Sequence, residues 1–138
     1  MDGVDAQGRT PLHYAALADD TAAIRTLLSQ GADPNAADRQ GFTALHLAAQ
    51  QAAISAAAAL LAAGARVDAV NSHGNTPLFT AVFNSRGSGE LIKLLRDHGA
   101  DPWHPNSTGQ TPVGLARLIA NYDLAQFFAD LTDPNPKT

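Results

Sequence analysis

The sequence of 138 residues contains no cysteine, so it has neither a disulfide framework nor a thiolate zinc site. Its longest apolar run, Ala56 to Ala63, is too short and too rich in alanine to cross a bilayer. The sequence contains nine lysines and arginines, which do not cluster, and thirteen acidic residues, so its formal net charge is −4. Because phosphate binding requires clustered basic side chains, these shortages argue against a nucleic-acid or membrane partner.

Recognisable catalytic patterns are also missing. The sequence has no nucleophile elbow, no phosphate-binding glycine loop and no paired carboxylates, so we expect no catalytic residue, no cofactor and no metal. The N-terminus lacks the basic and then apolar layout of a signal peptide, which predicts a cytoplasmic protein. The length and the hydrophobic fraction of 45% are typical of one folded domain.

What the sequence does contain is an internal repeat. The segment GRTPLHYAA at Gly8–Ala16 returns as GFTALHLAA at Gly41–Ala49 and as GNTPLFTAV at Gly74–Val82. A degenerate copy, GQTPVGLA, lies at Gly109–Ala116. The threonines of the four copies, Thr10, Thr43, Thr76 and Thr111, are 33, 33 and 35 residues apart. Such a period is typical of stacked supersecondary units rather than of one globular core.

The motif Thr-Pro-Leu-His-x-Ala at this period resembles the ankyrin repeat family over nearly the whole chain. The resemblance implies an all-α ankyrin repeat solenoid of four helix-turn-helix repeats with projecting β-hairpin-like loops. We expect one domain over 1–132, with repeats at about 5–37, 38–70, 71–105 and 106–132, and a disordered tail at 133–138. The resemblance to ankyrin repeats also implies a non-catalytic module that binds another protein and is monomeric when free.

Each of the first three copies predicts two helices. Thr10 is a good N-cap and Pro11 a good first helical residue, so the first helix starts at Pro11. The second runs from Thr21 to Gln30, before Gly31. By the same pattern we expect helices at 44–50, at about 53–63 and from Glu90 to Asp97. Two extra residues in the third copy lie within 83–89, a glycine- and serine-rich stretch that predicts a longer surface loop.

The fourth copy is expected to be the terminal cap of the stack, because it replaces the histidine and the second alanine of the motif with Gly114 and Arg117. Its second helix is predicted near Tyr122 to Leu131, with Asn121 as the N-cap. The apolar residues that this helix would bury are Leu124, Phe127 and Phe128.

The positions of the histidines in the sequence indicate structural rather than catalytic roles. His13 and His46 recur with the scaffold, whereas a general base would stand at a single site. In the ankyrin pattern, the histidine at this position ties the helix start to the neighbouring turn. His98, Asp101 and His104 lie close together in the sequence, but their spacing matches no helical pair of metal ligands.

Function is expected where the copies differ, since residues that hold the scaffold recur. By resemblance, ankyrin proteins bind partners through the loop tips and the inner surface of the first helices. The predicted partner-binding residues are Arg39, Gln40, Phe42, Gln50, Gln51, Ser72, His73, Asn75, Phe83, Asn84, Arg86, Trp103 and His104. The alternative, for part of this set, is that exposed residues differ between repeats without having any function.

Three aromatic side chains are the most informative members of the variable set. Phe42 and Phe83 occupy positions that the pattern exposes, and with Tyr14 they would form an apolar patch if all three share a face. Trp103 replaces Asn35 and Asp68 of the earlier copies. Two interpretations of Trp103 stay open: a lid that packs over the last repeat, or an aromatic anchor for a partner.

The short, alanine-rich, acidic chain, with its insertion at 84–92 and its Asn121-Tyr122-Asp123 segment, is similar to bacterial ankyrin proteins that act as immunity factors against polymorphic toxins. This similarity implies an inhibitor that covers the active site of a toxin domain. The alternative is a structural adaptor, or a host-directed effector fragment of a longer array. The start at Met1, inside a repeat, favours the alternative slightly, whereas the degenerate fourth copy and the polar tail favour an array that ends with this copy.

Overall fold

A stack of paired helices forms the described part of the chain, which in the computed structural model covers residues 4–119 and 123–131. Seven α-helices and one 3-10 helix occur in these residues, without a strand. They are α1 Pro11–Leu17, α2 Thr21–Ser29, α3 Ala44–Gln50, α4 Ile54–Ala62, α5 Pro77–Asn84, α6 Glu90–Asp97, α7 Pro112–Leu118 and the 3-10 helix Leu124–Phe128. None of these helices has the length and apolar character needed to span a membrane. The predicted all-α solenoid is confirmed.

The first helix of each copy begins in the same way. The hydroxyl of Thr10 accepts the backbone N–H of His13, and Thr43, Thr76 and Thr111 repeat this N-cap at α3, α5 and α7. Proline is the first residue of α1, α5 and α7, where a missing N–H has no consequence. The helix starts predicted from the threonines are therefore confirmed.

The helices form two layers around one apolar core. Helices α1, α3, α5 and α7 pack against one another in order and form the inner layer, while α2, α4 and α6 form the outer layer. Between the layers lie fully buried side chains such as Leu12, Ile24, Leu45, Leu60 and Ile92. Burial of each stabilises the fold by about 1.5–3 kcal/mol. The candidate site is formed by the inner helices and by the loops that precede them.

The last unit differs from the prediction. A five-residue 3-10 helix, Leu124–Phe128, stands where a helix near 122–131 was predicted. Its N-cap, Asp123, makes no side-chain capping bond, and its five residues are typical of the short pieces in which 3-10 helices occur. Leu124 and Phe128 are buried as expected, but Phe127 is only half-buried. The predicted N-cap Asn121 and the predicted tail 133–138 lie outside the described residues.

Helix α6 and the loop before it hold this 3-10 helix in place. The loop at 85–89 contains the predicted insertion, and a Cβ atom on Gly89 would overlap the Phe127 ring. Arg96 donates two hydrogen bonds of 2.8 Å to the carboxylate of Asp130 and a third of 2.8 Å to the Phe127 carbonyl. The absence of a side chain at residue 89 therefore lets the last unit dock.

Candidate functional site

The loop between successive repeats is a tight hairpin built around one aspartate or asparagine. Oδ1 of Asp38 accepts the backbone N–H groups of Gln40 and Phe42, both at 2.9 Å. Backbone bonds from Asp38 N–H to the Phe42 carbonyl and from Gly41 N–H to the Asp38 carbonyl close the turn. Asp5, Asn71 and Asn106 make the same bonds in the other loops. These four residues are structural, and none of them was among the predicted site residues.

The hairpin tips are joined to one another. The N–H of Ser72 donates to the Gln40 carbonyl at 2.8 Å, and the N–H of Ser107 donates to the His73 carbonyl at 2.9 Å. Gly41 has a φ of +80°, and a Cβ atom there would lie 2.9 Å from the Asn71 Cα. A side chain at residue 41 would therefore both strain the backbone and separate the tips.

The recurring histidines connect each inner helix to the next loop. Nδ1 of His13 accepts the N–H of Thr10 at 3.0 Å, so its Nε2–H donates to the Phe42 carbonyl at 2.8 Å. His46 repeats the arrangement with Thr43 and with the Asn75 carbonyl at 2.9 Å. Burial lowers the pKa of His46, although its bond to the Asn75 carbonyl acts in the opposite direction. The structural interpretation of both histidines is confirmed.

A groove opens between the loops and the inner helices, with a volume of about 360 Å³. We call it the inner groove. It is lined by Phe42, Gln50, Asn71, His73, Asn75, Phe79, Thr80, Phe83 and Asn84. Six of these nine were predicted partner-binding residues: Phe42, Gln50, His73, Asn75, Phe83 and Asn84. The side chain of Phe83, at the end of α5, is 68% exposed.

The repeat motif, the threonine N-caps and the histidine bonds recur along the stack with the period of a known family. The family model described as ankyrin repeats (3 copies) matches residues 1–71 and 35–106. The chain belongs to the ankyrin repeat family. Ankyrin repeats mediate protein–protein interactions, and the family is typically non-catalytic. A search of curated proteins gave no match.

The ankyrin histidine is replaced in the third repeat, and the replacement lies in the inner groove. Phe79 stands where the first two repeats have His13 and His46. It cannot hold the next loop by a hydrogen bond, and a side-chain bond of 2.9 Å from Asn106 to Asn75 connects the loops there. Phe79 was not among the predicted site residues. Its departure from the repeat was the signal that could have found it.

Of the three aromatic residues predicted to form one patch, Phe42 and Phe83 line the inner groove and Tyr14 does not. Phe42 is half-buried rather than exposed, because its ring meets the His46 ring edge to face at 5.7 Å between centroids. It shares the inner groove with Phe83. Tyr14 is not among the residues that line the groove, and its hydroxyl donates a hydrogen bond to the Asp5 carboxylate.

Five other predicted residues, Arg39, Gln40, Gln51, Ser72 and Arg86, are not among those that line the inner groove. Arg39 and Gln40 line a separate cleft of about 280 Å³ between the first two hairpin tips. Ser72 and Gln51 are exposed, one at a tip and one at the C-cap of α3. Arg86 is exposed in the loop before α6, at a φ of +52°. Their part in partner binding stays a prediction.

Trp103 and His104 lie in the last inter-repeat segment, outside the inner groove, and both are half-buried. Trp103 packs against the core, with the Arg117 guanidinium 5.7 Å from its ring centroid. At the matching position of the first repeat, Asn35 accepts the Arg66 N–H at 2.7 Å and so joins two repeats. The contact with Arg117 is the one that a lid would make. A role of Trp103 or His104 in partner binding stays a prediction.

The residues considered as metal ligands have other contacts. Nδ1 of His98 lies 2.9 Å from the Leu94 carbonyl, and Asp101 accepts the Trp103 N–H at 2.9 Å. Within residues 4–119 and 123–131, no three His, Asp or Glu side chains come close enough together to hold a metal ion.

Proposed function

We propose that this ankyrin chain binds another protein through the inner groove and performs no catalysis. The observation that supports this proposal best is Phe83, a large apolar side chain left 68% exposed beside hydrogen-bonding side chains. An exposed aromatic ring among amide groups combines contact area with directional bonds, which is typical of residues that dominate interface energies.

The groove is already organised before a partner arrives. His13 holds the Phe42 carbonyl and His46 holds the Asn75 carbonyl, so two lining residues are fixed by the repeat itself. Asn84 donates a side-chain bond of 2.9 Å to the Thr80 carbonyl within α5. Because these groups are ordered in the free protein, little conformational entropy is lost on binding.

Alanine substitution tests this proposal. Phe83→Ala removes the exposed ring while leaving the α5 backbone and its N-cap intact, so we expect about tenfold weaker partner binding with unchanged helix content. Val70→Ala is the matched control, since Val70 is an exposed apolar side chain outside the inner groove. Equal affinity of the two variants for a purified partner would reject the groove as the binding site.

The more specific proposal is that the partner is a toxin domain and that the chain is its immunity protein. It is supported by the resemblance in length, composition and third-repeat insertion noted above. An inhibitor of this kind would cover the toxin active site in a tight one-to-one complex. Co-expression with the toxin of a neighbouring gene should restore growth of the poisoned cells, and Phe83→Ala should restore it less. Failure of the unmodified chain to rescue growth would end this proposal while leaving protein binding in place.

A further inference from the structure

The inner groove has an unusual chemical character for an acidic protein. None of its nine lining side chains is an aspartate, a glutamate, a lysine or an arginine. They are three phenylalanines, a threonine, a histidine and four amides. A charged side chain inserted between them would lose its hydration without gaining an ion partner. The groove therefore discriminates against charged segments.

An exposed apolar residue continues the groove toward the last unit. Leu118 stands seven residues after Thr111, as Phe83 stands seven residues after Thr76, so the two occupy matching positions of α7 and α5. The two helices pack against each other, and Leu118 is 67% exposed. Gln50 ends α3 at the matching position of the preceding repeat. Phe83 and Leu118 thus form an apolar ridge on neighbouring inner helices, with amide groups on one side of it. Leu118 was not in the predicted site.

The length of this surface can be estimated from helix packing. Axes of packed helices are about 8–10 Å apart, so Gln50, Phe83 and Leu118 span about 16–20 Å. An extended chain advances about 3.3 Å per residue, so five or six residues cover that distance. Side chains of an extended chain alternate between its two faces, so two side chains separated by one residue lie on the same face, about 7 Å apart, and would reach Phe83 and Leu118 together.

Building on the function proposed above, we propose that the inner groove and Leu118 bind an extended, uncharged segment of the partner protein. The segment is five or six residues long and places two apolar side chains on the ridge formed by Phe83 and Leu118. Amides such as Gln50 and Asn84 hydrogen-bond its exposed peptide groups. Selectivity comes from the absence, among the lining residues, of an aspartate, glutamate, lysine or arginine that could pair with a charged side chain of the segment.

Selection from a phage-displayed library of random linear heptapeptides, panned on the full chain at neutral pH, tests this inference. Enriched peptides should be uncharged over five or six residues and carry two apolar residues separated by one position. Synthetic peptides should bind about tenfold more weakly to Phe83→Ala and several-fold more weakly to Leu118→Ala, with no change for Val70→Ala.

The outcomes separate this inference from the proposed function. Phe83-dependent peptides with an essential charged residue would overturn the chemical inference but keep the groove as a protein-binding site. Peptides that bind equally well to Leu118→Ala would remove Leu118 from the surface and shorten the segment. Enrichment without any dependence on Phe83 would overturn the inference, and the proposed function would then fail too if the natural partner also bound Phe83→Ala normally.

Discussion

Replacing His46 with phenylalanine tests how the scaffold positions the groove. His46 is fully buried, accepts the Thr43 N–H at 3.2 Å through Nδ1 and donates Nε2–H to the Asn75 carbonyl at 2.9 Å. His46→Phe keeps an aromatic ring in the site but leaves both backbone groups without these bonds. The third repeat already holds Phe79 at this position, so the fold should survive.

The expected loss follows mainly from the Thr43 N–H, which is buried and loses its bond to Nδ1. The Asn75 carbonyl still accepts the backbone N–H of Asn71 at 3.1 Å, so it keeps one partner. A buried polar group without a partner destabilises a protein by about 1–3 kcal/mol. We therefore expect His46→Phe to lower the free energy of unfolding by about 1–3 kcal/mol.

Urea denaturation followed by far-UV circular dichroism measures this loss. The matched control is His98→Phe, the same exchange at an exposed histidine, for which we expect a change of less than about 0.5 kcal/mol. Equal losses for the two variants would refute the reasoning, because the bonds of His46 would then contribute nothing beyond an aromatic ring.

Three further predictions concern stability. Burial holds the pKa of His46 below 6.5, so the unfolded chain binds more protons than the folded one at acidic pH. The free energy of unfolding should therefore fall by at most about 1.4 kcal/mol per pH unit as the pH drops below 6.5. A free energy of unfolding that does not change with pH in this range would contradict the prediction. Gly89→Ala should place a methyl group against Phe127, lowering thermal stability by about 1–3 kcal/mol, and an unchanged melting temperature would contradict it. Ala52→Gly relieves a φ of +53° and should raise the unfolding free energy by about 0.5–1 kcal/mol, whereas Ala18→Gly, at −86°, should not; equal effects in urea titrations would count against strain.

The sequence predicted most of the scaffold because its determinants are local. Threonine N-caps mark the starts of the inner helices and glycines follow the ends of the outer ones, so α1 and α3 begin where expected. The last unit was predicted less well. Its 3-10 helix is positioned by long-range contacts of Arg96 and Gly89, which no local pattern reveals.

The candidate site was predicted in part for the same reason. Differences between repeats identified Phe83 and Asn75, but such differences cannot say which variable residues lie together once the repeats stack. Trp103 illustrates the limit: its variation is as strong as that of Phe83, yet it packs beside Arg117. Phe79 was not predicted because it lies inside the motif that was assigned to the scaffold. Leu118 was not predicted because it follows the degenerate fourth copy of the motif.

The most direct test of protein binding through the inner groove is the affinity of a purified natural partner for three proteins. These are the unmodified chain, Phe83→Ala and Val70→Ala, compared by isothermal titration calorimetry. Binding through the groove predicts a dissociation constant about tenfold higher for Phe83→Ala and an unchanged constant for Val70→Ala. The opposite pattern, or equal constants for all three proteins, would contradict it.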